Sequence, residues 1–152
     1  MIVKDKIAAR KKAQGVFVCI AGQRLSGKST IAGTAPGRTL LLQAAILETG
    51  SRSAQKLAKI KGNELTISEF ADLTDLVKQL SAFDGSKYDN LFIDGISAIT
   101  ELKIGEADVA ATMKRDQWAG YRIVGEAVRA FMKNSKAMAS GAASRFSPGM
   151  YS

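Results

Sequence analysis

Residues 22–30 read GQRLSGKST, and these residue types at this spacing suit the capture of a di- or triphosphate. A polyphosphate needs several donors converging at close range. Gly22 and Gly27 let the backbone curl with its N–H groups inward, where side chains would otherwise intrude, and a following helix adds the positive end of its dipole. Gln23, Arg24, Leu25 and Ser26 make the arc between the two glycines. The Lys28 ammonium reaches the β- and γ-phosphates, the Ser29 hydroxyl is placed to hold Mg²⁺, and Thr30 serves the α-phosphate through its hydroxyl or backbone. A plain glycine-rich turn is the competing reading. Four specified positions between an apolar run and a helix start arise by chance in fewer than about one chain in a hundred of this size.

Two carboxylates stand where such a loop would use them. In NLFIDG, three apolar residues run into Asp94 at the end of a strand, the edge at which open parallel sheets bind ligands. An aspartate there orients Mg²⁺, usually through water. Hydrolysis also needs a group to orient or deprotonate the attacking water. Glu48, just beyond a second apolar run, is the candidate, and capping of the helix that starts near Ser51 is its alternative role. Asp89 and Glu101 flank the third strand and read as solvated.

The elements that must position these groups alternate between strand and helix. VFVCIA, 16–21, reads as a short buried strand feeding the loop. A helix from Lys28 ends after about two turns at GTAPG, 33–37. A second strand spans about 39–46, and a surface helix runs from Ser51 or Ser53 to Gly62. ELTI, 64–67, reads as an edge strand. Leu73, Leu76, Val77 and Leu80 mark an amphipathic helix, DGSKYDN a turn, and LFIDG the third strand. Residues 100–112 lack a period and read as a long loop. From Asp116 to Met138, Tyr121, Val124, Val128, Phe131 and Met132 form one apolar stripe, with Glu126 between Arg122 and Arg129 on the other face. The pattern predicts an α/β fold with a mostly parallel sheet over 1–138, then an irregular tail over 139–152.

Composition bounds the rest. The chain has 152 residues, 46% of them hydrophobic, enough for one cored domain. Its single cysteine, Cys19, excludes a disulfide framework, and its start carries no secretory pattern, so a cytoplasmic protein is expected. No apolar run approaches the roughly 20 residues needed to cross a bilayer. The +8 charge favours an anionic partner, with basic clusters at RKK, 10–12, in KRDQW and in RAFMKNSK. None is a recognised nucleic-acid motif.

GQRLSGKST, TAPGRTLLLQAAILETG, YDNLFIDGISAITEL and QWAGYRIVGEAVRAFMK occur in the order found in phage AAA-domain ATPases of RecA-like type, which the chain resembles over residues 15–138. Some of that group act in single-strand annealing or recombination. The resemblance implies ATP and Mg²⁺ as ligands, Lys28 and Ser29 on the phosphates and metal, Asp94 on the metal, and Glu48 as the catalytic carboxylate. It also implies single-stranded DNA near residues 100–115, head-to-tail assembly or a recombination or replication partner, and the host cytoplasm. One departure is expected: the family's further central strand has no counterpart, because SGAASRFSPGMYS lacks an apolar run and carries Pro148. Two alternatives follow: a shortened module that binds nucleotide or DNA without turnover, and a small P-loop kinase. The latter has only the Lys114–Arg115 pair to offer as an arginine-rich lid.

Overall fold

A computed structural model of the protein describes residues 15–21, 26–45 and 50–139. A short helix α1 (Lys28–Ile31) passes into a 3₁₀ turn (Ala32–Thr34), and β1 (Arg38–Ala44) follows. Next come α2 (Gly50–Lys61), β2 (Glu64–Phe70), α3 (Leu73–Ser81) and β3 (Asn90–Asp94). Three consecutive helices close the described chain: α4 (Ile96–Gly105), α5 (Ala107–Arg115) and α6 (Gln117–Ala139).

Among the described residues the sheet is parallel and has three strands in the order β2-β1-β3. The expected α/β class and parallel sheet are both present. β1 lies in the middle and is buried on both faces from Thr39 to Ala44, as a strand covered on two sides is. Leu40, Leu42 and Ala44 face one layer, where they pack with Phe70, Leu76, Leu80, Ala98, Ile99 and Phe131 from β2, α3, α4 and α6. Leu41 faces the other, against Ala32 of the 3₁₀ turn and Ala54 of α2, with Leu65, Ile67 and Phe92 beside it. Gly33 is required at that second layer, since a Cβ there would stand 2.2 Å from the Ala54 carbonyl oxygen.

Turn chemistry sets the element ends. Asp72 caps α3 by accepting from the Asp75 N–H at 2.8 Å, and Asp75 reaches back to accept from the Ala71 N–H at 3.1 Å. The two carboxylates thus satisfy two backbone donors at the helix entrance. Gly37, at φ 85°, lets the chain swing into β1.

Three sequence expectations change. Residues 15–21 carry no strand, and Val16, Val18 and Ile20 are 85%, 67% and 43% exposed. An extended apolar run becomes a strand only where a neighbour accepts its backbone bonds; among the described residues no strand pairs with this run. Cys19 is accordingly exposed. Residues 100–112 are helical, not looped, within α4 and α5, except for Glu106 at their junction. Tyr121 stands 48% exposed, so it leaves the apolar stripe, whereas Val124 and Phe131 are buried. The tail beyond residue 139, where the absent strand was expected, lies outside the described residues.

Candidate functional site

The phosphate-type loop enters the described structure at Ser26. Gly27 takes the left-handed backbone, φ 82°, and N-caps α1, which explains glycine at a position where other residues are strained. Its carbonyl oxygen accepts from the Ile31 N–H at 3.3 Å. Lys28, Ser29 and Thr30 then form the first helical turn and are half-buried. The Lys28 ammonium donates to the Ser26 hydroxyl at 3.4 Å. Gly22, Gln23, Arg24 and Leu25 lie outside the described residues.

Asp94 closes β3 at the carboxyl edge of the sheet, as its place after three apolar residues predicts. Strand register assigns it a face. Asp94 is paired with Gln43 of β1, and Gln43 with Glu69 of β2, so the three form one row across the sheet. Side chains alternate along a strand, which puts this row on the Leu41 and Phe92 face, the face covered by the 3₁₀ turn that continues α1. Ser29 and Asp94 therefore belong to the same layer of the molecule. The Asp94 carboxylate has no hydrogen-bond or ion-pair partner among the described residues. Glu48, four residues beyond β1, lies outside the described residues.

Sequence reasoning missed Gln43 and Glu69. Gln43 is buried, 7% exposed, and its Nε2 donates to the Glu69 carboxylate at 3.2 Å. A buried amide at the carboxyl end of a central strand is a signal in itself, because buried polar groups must be paired. Its register beside Asp94 is not readable from the chain.

The other carboxylates serve the fold. Asp89, read from sequence as solvated, instead clamps the start of β1. Its Oδ2 accepts from the Arg38 backbone N–H at 2.9 Å, and the guanidinium reaches Oδ1 at 3.2 Å. That side-chain bond holds the Asp89 carboxyl below the ordinary carboxylate value and raises Arg38. Asp84 is likewise lowered, by the Ser86 hydroxyl and amide. Glu101 is exposed. It joins Ala44, Ala45, Phe70, Ala98 and Leu102 around a small cleft on the opposite face of the sheet, where apolar walls offer no phosphate donor.

Chemically, the described half of the loop presents a cation, three hydroxyls and a helix start, and the sheet edge presents a carboxylate without a partner among the described residues. No group of three or more His, Cys, Asp or Glu forms a metal cage among the described residues. Among the described residues no helix is long and apolar enough to cross a membrane.

A family model described as "AAA domain" matches residues 14–139. Neither the comparison with curated proteins nor that with solved structures returned a match.

Proposed function

The chain belongs to the AAA-domain family of nucleotide-binding P-loop ATPases, and from that premise we propose that it is a RecA-like, phage-type ATPase. It binds Mg·ATP and couples hydrolysis to single-stranded DNA in recombination or replication. The observation that carries the nucleotide assignment is the Gly27–Lys28–Ser29 turn, opening a helix on the same sheet face as Asp94.

In this reading residues 22–30 wrap the phosphates with backbone N–H groups, Lys28 neutralises the terminal phosphates, and Ser29 and Asp94 would hold the metal. Bound Mg²⁺ offsets phosphate charge that would otherwise repel the nucleophile. Glu48 orients and deprotonates the attacking water, having no closer rival on the chain after β1. Head-to-tail copies complete the site, and the host cytoplasm is the compartment.

The test is direct. Lys28→Ala should weaken binding of a fluorescent ATP analogue by tenfold or more with the circular dichroism spectrum unchanged. Glu48→Gln should keep binding and stop phosphate release, and Asp94→Asn should abolish the Mg²⁺ dependence of affinity. Unchanged nucleotide affinity in Lys28→Ala would sink the assignment.

A second reading, binding without turnover, is favoured by residues 15–21 standing outside the sheet, because the loop then lacks a paired strand on its entry side. Stable ATP retention with no phosphate release, with or without single-stranded DNA, would select it.

A further inference from the structure

α6 spends its solvent face in an unusual way. Trp118 is 83% exposed, the largest apolar side chain left in water among the described residues. A buried tryptophan would contribute to the core; one held out on a regular helix presents both faces of its ring to solvent. From Trp118, the positions that share its side of the helix at 100° per residue are Arg122, Arg129, Lys133 and Lys136, all within an arc of about 60°. All four cations are exposed, and none makes an ion pair among the described residues. The ridge runs about 27 Å along the helix. Gly125 lies on it too, and the space where its side chain would stand is open. Glu126 is the single carboxylate at its flank, and Lys114 and Arg115 end α5 just before it.

We propose that this ridge of α6 is a single-stranded nucleic-acid platform, with an unpaired base stacked on Trp118 and the sugar–phosphate chain laid along Arg122, Arg129, Lys133 and Lys136. The chemistry distinguishes this occupant from others. A row of unpaired cations attracts any polyanion, but an aromatic ring at its end adds a contact that only a splayed base can use. The bases of a duplex are already stacked and would leave Trp118 idle. Tyr121, 48% exposed and one turn along, widens the aromatic end; its hydroxyl accepts from the Gln117 amide at 3.4 Å. The gap at Gly125 lets the backbone pass close to the helix between Arg122 and Arg129. This inference rests on the single-strand reading above and replaces residues 100–115 with the exposed face of α6 as the contact surface.

The full chain is titrated with fluorescein-labelled oligothymidylate of about 20 nucleotides, read by anisotropy and by intrinsic fluorescence. Trp118 is the chain's single tryptophan, so quenching reports this site alone. Expected are quenching on binding and a slope of log affinity against log salt near −3, as about 0.7 per phosphate contact gives for four contacts. Trp118→Ala should cost about tenfold, while Trp118→Phe retains most affinity. Arg129→Glu with Lys133→Glu should cost tenfold or more and flatten the slope, whereas the Arg129→Lys, Lys133→Arg pair should not. ATP-analogue binding serves as the folding control for every variant. Wild-type affinity in the charge-reversed variant, with no Trp118 quenching, would overturn the ridge while leaving the single-strand reading intact. Failure of the unmodified protein to bind any single strand at low salt would end both. Equal affinity for a duplex without quenching would overturn the stacking role.

Discussion

Asp89 and Arg38 are 51 residues apart, yet together they fix where β1 begins. Both side chains are half exposed, so the pair contributes through geometry more than through Coulomb energy in low dielectric. Its pH dependence has a definite sign. A carboxyl lowered in the folded state stabilises the protein above its ordinary value of about 3.9, and that contribution disappears as pH falls through the folded value. Asp84, held down by Ser86, adds in the same window. Arg38 is raised, so its share is constant across any acid titration. Asp89→Asn should therefore melt at a lower temperature near pH 7, and it should lose less further stability than the unmodified protein between about pH 4 and 2. Melting followed by circular dichroism across that range measures both. An identical acid profile in the two proteins would show that the clamp does not act through its charge.

At the scale of elements, the junction of α5 and α6 depends on one missing side chain. A Cβ on Gly120 would stand 2.0 Å from Met113 Cγ and 3.2 Å from its Cα, so the two helices would have to part. Gly120→Ala should cost about 1–3 kcal/mol in urea unfolding, and Met113→Ala should recover only part because the backbone contact persists. The same elements show what the chain could and could not announce. α3 was legible because Leu76 and Leu80 repeat at helical spacing and Asp72 caps them. α4 was not, since Ile96, Ile99, Leu102 and Ile104 surround the axis and leave no stripe to detect. The run 16–21 misled in the opposite sense: its composition fits a strand, but pairing is decided by neighbours that local sequence does not contain. The places of Lys28 at a helix start and Asp94 at a strand end could be read because each needs only its local context. Gln43, Asp89 and the α6 ridge depend on register, distant partners or exposure, none of which has a local signature.

For the molecule as a whole, the sheet has an uneven balance of cover. β1 is buried throughout its central length, while every residue of β3 is only half-buried and its outer edge has no strand beside it among the described residues. That edge and the exposed Val16, Val18 and Ile20 each invite association between copies. Sedimentation should show self-association that rises with protein concentration, and Val16→Thr with Val18→Thr should lower it without altering α-helical content. Concentration-independent mass for the unmodified protein would contradict this. The segment has one more consequence, a matter of thiol chemistry. By leaving residues 15–21 in solvent, the fold places the chain's single sulfhydryl, Cys19, where alkylating reagents and oxidants reach it. A maleimide dye would attach once per molecule, three residues before Gly22 in sequence. Without reductant, a transient meeting of two such segments would become a covalent dimer that dithiothreitol reverses.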